Sequence, residues 1–362
     1  MADFRTQPIS ETAELQRIHF AGLDTIRFLC ALWVVLYHFR VPEAGLFFNT
    51  TTVVGGIAAT VYDCSFKGQP AVIIFFIISG FCIHYPYSIN NAMPSLSAYF
   101  ARRYIRIAGP ILPAIWLATT VLDVRLSLFD RTVLWSLLAE LIYYGLYPGI
   151  LWIRRRSGVT WFEMILMTSA IGVVLITSNP STPSLPMWGP YAAWLLGLPP
   201  WLMGCQLAEH VRRRGIGGEA PSIWAWRIGV FLLALVCNYA RYYLKVGYPW
   251  TLTLFAAVAS IWLLMELRHF QHHRPLAALE WAGAWSYSLY LFHMPAIAMT
   301  GLLPAISAGF RTTWLYHFMF ILCVSFIFAV TIEFPFHSIA RATSRWIAKV
   351  RSSGSKQLVN PQ

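Results

Sequence analysis

Long apolar runs, separated by short polar breaks that carry arginines, recur along the whole chain. About ten of them reach the roughly 20 residues a helix needs to cross a bilayer. They lie near 23–41, 70–88, 107–124, 131–152, 160–178, 190–209, 224–243, 249–267, 282–303 and 314–338. Lipid satisfies no backbone N–H or C=O, so runs of this length predict helices. A β-barrel would show short alternating strands instead. The expected fold is all-α, a polytopic membrane protein with about ten transmembrane helices. The seventh run is the weakest, because Asn238 and Arg241 crowd its end.

Composition agrees with the pattern. The 362 residues are 57% hydrophobic, 16% aromatic and only 12% charged, whereas an average soluble domain is about 25% charged. A disordered chain is ruled out and a soluble enzyme disfavoured. The 27 Lys+Arg against 15 Asp+Glu leave a charge of +12. In a soluble protein that excess suggests nucleic acid. In a membrane protein it marks basic cytoplasmic loops, so no nucleic-acid partner is expected. With the N-terminus inside, the inner segments hold eighteen basic residues and the outer ones seven. The inner set includes Arg102, Arg103, Arg106, the triplets Arg154–Arg156 and Arg212–Arg214, and Arg341 to Lys356. An even span count and this asymmetry place both tails in the cytoplasm. The expected organisation is a tail over 1–22, a transmembrane domain over 23–340 and a basic tail over 341–362. That last tail interleaves its charges with Trp346 and Ile347, as a helix lying on an anionic leaflet does. The longest outer loop is expected between Pro42 and Gln69.

Asp3, Glu11 and Glu14 precede any apolar stretch, so no signal peptide is expected. Six scattered cysteines without a CxxC make no disulfide framework. His269, His272 and His273 are close in sequence, but only Glu266 is near, and they read as solvated loop histidines. No metal site is expected. There is no GxSxG elbow, Walker A loop or GxGxxG.

Ionisable groups inside apolar runs are costly and are usually functional or paired. The set here is Arg27, His38, Glu140, His293 and Glu333, with Asp24 at an edge. Arg27 and His38 are eleven residues apart, about three helical turns, so they share a face with a rise of ~16 Å. A snorkelling arginine and a histidine used as interhelical glue explain the spacing equally well. Glu140 lies about nine residues into a run that enters from the other side, a depth of ~13 Å. Together the two depths approach the ~30 Å hydrocarbon thickness, so Glu140 and His38 are expected at one level. A glutamate paired for packing is the plain alternative. Arg103 and Arg106 are three apart on one helical face and can grip a phosphate, although basic span flanks are ordinary.

These segments, in order, resemble the membrane-bound acyltransferase-3 family of bacteria, from about Gly22 to Pro335. In GLDTIRFLCALWVVLYH, Arg27 and His38 match the family's R-x10-H. FFIISGF follows, ending at Ser79, Gly80 and Phe81. RRYIRI supplies Arg103 and Arg106. In LWSLLAELIYYGLYP, Glu140 matches the recurrent glutamate, with Tyr144 and Pro148 after it. WSYSLYLFHMP, which holds His293, and IEFPF resemble the closing elements. Many relatives carry a second acid where this chain has Leu141. Some carry a fused esterase-like domain, which is not expected after Gln362.

The resemblance implies acyl-CoA as donor on the cytoplasmic side, and a glycan or glycolipid hydroxyl outside as acceptor. It implies an inner-membrane location, with acetyl as the prior choice of acyl group. Arg27, Arg103 and Arg106 would bind the donor; His38 and Glu140 would be catalytic; Ser79, Tyr144 and His293 would support the site or the acceptor. His38 fits either a general base or an acyl-carrying nucleophile. A transporter of a polar or lipid-linked solute is the alternative from another class. It is disfavoured because the halves show no repeat and the charged sites cluster on the first four runs.

Overall fold

The computed structural model describes residues 20–88, 95–128, 133–178, 188–218, 220–304 and 309–359. The predicted N-terminal tail through residue 19, with Arg5 and Arg17, lies outside them, as does Arg131. Among the described residues the secondary structure is entirely helical. The helices are α1 (Leu23–Phe39), α2 (Val53–Ser65), α3 (Gln69–His84), α4 (Leu96–Trp116), α5 (Trp135–Ser157), α6 (Trp161–Ser178) and α7 (Gly189–Arg214). They continue with α8 (Ile223–Tyr242), α9 (Tyr248–His272), α10 (Ala277–Gly283), α11 (Ser286–Met299), α12 (Phe310–Phe328) and α13 (Phe334–Val359).

Each of the ten predicted runs overlaps a helix, and the last two overlap two each, 282–303 with α10 and α11 and 314–338 with α12 and α13. Among the described residues, six helical stretches are long and apolar enough to cross a membrane: Val53–Tyr87, Leu96–Val121, Trp135–Ser157, Ile223–Tyr242, Trp250–His272 and Arg311–Val350. Helix α1 has 17 residues and α11 has 14. Helix α7 combines Glu209 with three terminal arginines.

Two helices differ from the sequence expectation. The segment read as an outer loop contains α2. Its 13 residues include Gly55 and Gly56 and are too short to span. The Thr52 side chain caps it by accepting from the Gly55 N–H. The other is α13, which runs unbroken through the expected boundary at residue 340. It continues α12 across a π-helical segment, Ala329–Glu333, and packs along α4 with Ala340 and Ser344 buried.

Helix α3 is buried nearly all round, from Pro70 to His84, and is the centre of the bundle. Pro70 sits in its first turn, where the missing N–H removes no intrahelical bond. Its most extensive packing is against α7. A Cβ on Gly80 would lie 2.0 Å from the Trp201 carbonyl oxygen, and one on Gly204 would lie 2.0 Å from that of Ile77. The two backbones therefore touch where small residues meet. Around this contact Phe81, Tyr143, Tyr147 and Trp201 are fully buried.

The polar end of the seventh run is tucked inward. Asn238 is buried and donates to the Cys64 carbonyl at 2.9 Å, which ties α8 to α2. Arg241 is buried over the Tyr242 ring.

Candidate active site

Helix α1 presents Arg27 and His38 on one side, as the periodicity requires. Its start is built by another part of the chain. Gly22 precedes it at φ +84°, a left-handed conformation that favours glycine. No side chain at that position caps the helix. Glu280 of α10 does so, accepting from the Gly22 N–H at 3.0 Å, the Thr25 N–H at 3.2 Å and the Thr25 hydroxyl at 2.7 Å. A carboxylate at a helix N-terminus satisfies orphan donors and complements the dipole.

His38, half-buried near the far end of α1, faces His293 of α11. The His293 Nε2 lies 3.1 Å from His38 Nδ1, with ring centroids 5.0 Å apart. His38 Nδ1 is also 3.0 Å from the Val34 carbonyl oxygen, and His293 Nδ1 is 2.6 Å from that of Tyr290. His293 is completely buried. The Tyr290 hydroxyl is 2.5 Å from Ser136 Oγ on α5, one helical turn before Glu140.

Glu140 is half-buried on α5. Its Oε1 accepts from Ser79 Oγ of α3 at 2.7 Å and from the Tyr144 hydroxyl one turn on. Ser79 and Tyr144 thus support this carboxylate directly. Its partners are these two hydroxyls, while those of His38 are Val34 and His293. The two clusters meet through the Ser136–Tyr290 contact, which joins α5 to α11. Leu141 is buried; its carbonyl accepts from the Tyr104 hydroxyl at 3.0 Å. That position braces α4 against α5.

The arginines divide. Arg27 donates to Asp24 at 2.7 Å and contacts Cys82 Sγ at 3.1 Å. Arg103 lies over the rings of Tyr99 and Tyr144, about 6 Å from each, on the side of Glu140. Arg106 turns the other way, its Nε donating to His337 Nε2 of α13 at 3.3 Å. His337 in turn lies 3.5 Å from Glu333, which accepts from the Ser288 N–H at 3.0 Å and its hydroxyl at 2.5 Å. Arg103 and Arg106 therefore reach different partners from one helical face.

Among the described residues, no group of three or more His, Cys, Asp or Glu is placed to hold a metal. His269 and His273 stack on each other, their centroids 4.2 Å apart.

A family model described as an acyltransferase domain (Acyl_transf_3) matches residues 20–334. The chain belongs to the acyltransferase-3 family. No curated protein and no solved structure matches it.

The acyltransferase-3 match spans α1 to the start of α13, so both clusters fall within it. Several partners of the site residues were not singled out from the sequence. His337 had a local signal, since it follows Glu333 by four residues on one helical face. Glu280 and the Tyr290 hydroxyl had none, because Gly22, Thr25 and Ser136 are far away in the chain. The arginine triplets also have specific partners. Arg154 and Arg213 pair with the buried Glu209 at 2.8 and 2.6 Å, and the Trp161 indole donates to it at 2.6 Å.

Proposed function

We propose that this membrane acyltransferase moves an acyl group, most simply acetyl, from cytoplasmic acyl-CoA to a hydroxyl of an extracytoplasmic glycan or glycolipid. In this reading the protein has ten spans, both tails in the cytoplasm, and sits in the inner membrane. The observation that carries the proposal is the layout of α1. It bears a cation, Arg27, near one end and an imidazole, His38, about 16 Å further along the same face. That rise suits an extended pantetheine arm reaching from an anionic nucleotide to a thioester.

Arg27 and Arg103 supply positive charge for the CoA phosphates, and arginine suits phosphate because its planar fork donates in pairs. Arg106, held by His337, adds charge to the same end. His38 takes the proton of the acceptor hydroxyl as general base while the oxygen attacks the thioester carbonyl. Glu140, held by Ser79 and Tyr144, stabilises positive charge near the acceptor or orients it.

The test is transfer of radiolabelled acetate from acetyl-CoA by membranes containing the protein, together with mass spectrometry of surface glycans from cells with and without it. Label entering glycan only when the protein is present is the expected result. A protein that binds acetyl-CoA without transfer or thioester cleavage would exclude the reading.

A further inference from the structure

The hydrogens on the two facing imidazoles are determined by their neighbours. A carbonyl oxygen only accepts, so His38 Nδ1, 3.0 Å from the Val34 oxygen, is the nitrogen that carries hydrogen. The same rule gives His293 its hydrogen on Nδ1, 2.6 Å from the Tyr290 oxygen. The Nε2 of a neutral His293 is then an acceptor. That atom is the one facing His38 Nδ1, at 3.1 Å. The two assignments, made from different carbonyls, agree on the direction of the bond between the rings. His38 donates inward from Nδ1, its one hydrogen shared between the Val34 oxygen and His293 Nε2, and its Nε2 keeps the lone pair.

A base that must accept a proton at one nitrogen needs the other held by a third group. His293 has the features of such a group. It is completely buried, bonded at both ring nitrogens, and carried by a helix that packs directly on α1. We propose that His293 is the positioning residue for His38, holding it in the Nδ1–H tautomer so that Nε2 faces the acceptor. This rests on the reading of His38 as the base. In the transfer, the acceptor O–H bond breaks and its proton passes to His38 Nε2. The oxygen's electron pair forms the new C–O bond, the thioester C–S bond breaks, and Nε2 returns the proton to the CoA sulfur. Throughout, the His38 Nδ1–H stays shared between the Val34 oxygen and His293 Nε2, and His293 keeps its own hydrogen on Nδ1.

The experiment uses the full chain in lipid nanodiscs with ¹⁵N-histidine. In the native protein, His38 Nδ1 is expected to read as N–H and Nε2 as bare nitrogen, with a coupling from the Nδ1 hydrogen to His293 Nε2. A bare Nδ1 on His38, or no coupling to His293, overturns the proposal whatever the activity. Two variants add a functional arm, read as release of CoA thiol from acetyl-CoA. His293→Leu removes the side-chain acceptor, leaves only the Val34 carbonyl, and is expected to lower kcat by ~10²-fold while KM for acetyl-CoA holds. His293→Gln, whose Oε1 can accept, is expected to recover at least about tenfold of that loss. Equal losses in the two variants, or a loss confined to KM, overturn the positioning role. His38→Ala run in parallel separates the two claims. Full activity there rejects the base, and the nitrogen spectra of the native protein still report on the contact between the rings.

Discussion

Glu280 holds the first turn of α1 through three hydrogen bonds to Gly22 and Thr25, across more than 250 residues of chain. The helix that carries Arg27 and His38 is thus anchored by a side chain from a seven-residue helix near the other end of the protein. Removing the carboxylate with Glu280→Ala strands two backbone donors at a helix N-terminus. We expect a loss of ~1–2 kcal/mol, seen as a lower unfolding midpoint in detergent. Glu280→Gln retains one accepting oxygen and should fall between. Equal stability of all three proteins would show that water replaces the cap.

His38→Ala should abolish transfer while leaving membrane insertion intact. Loss of a general base costs on the order of 10²–10⁴ in rate. The check is acetyl transfer in membranes normalised to the amount of inserted protein. Near-normal activity in a folded variant rejects the assignment.

Glu140 accepts both its hydrogen bonds on one oxygen. Glu140→Gln preserves the shape but removes the charge. If that charge stabilises a protonated His38 during transfer, kcat falls strongly and CoA affinity barely moves. Groups acting together are non-additive, so the double change with His38→Ala should cost little more than His38→Ala alone. Additive losses in that cycle would assign Glu140 to packing between α3 and α5.

Arg103 and Arg106 should respond differently. Arg103 rests on two rings, so Arg103→Ala is expected to raise KM for acetyl-CoA with little change in stability. Arg106→Ala also takes away the hydrogen bond to His337 beside the buried Glu333. It should lower the unfolding midpoint as well as donor affinity. Isothermal titration with CoA and thermal melts of the two variants make the comparison.

Gly80→Ala places a methyl group 2.0 Å from the Trp201 carbonyl oxygen. A backbone atom cannot swing aside as a side chain does, so α3 and α7 must separate. The expected cost is ~1–3 kcal/mol, with reduced yield of folded protein. Normal yield and stability would mean that the two helices part cheaply.

The local physics of the chain was legible without a structure. Apolar runs of near-bilayer length must form helices because lipid offers the backbone no partners, and each predicted run overlaps a helix. The shared face of Arg27 and His38 follows from the turn of a helix. Both are properties of one continuous segment.

What lay beyond the sequence depends on which segments become neighbours. The 13 residues of α2 carry no length signal because the helix is too short to span, and Thr52 caps its start. The depth arithmetic aimed Glu140 at His38, but depth is a single coordinate. Rotation about each helix axis and the packing of small residues set the other two. Those brought Ser79 and Tyr144 to Glu140, and His293 to His38. They also sent Arg103 and Arg106, three residues apart, to different helices. Segment composition was enough for the helices of the long apolar runs and for the ionisable residues within them. The pairings were set by the assembled bundle, because a hydrogen bond between residues 255 positions apart depends on how the whole bundle packs, which no local pattern records.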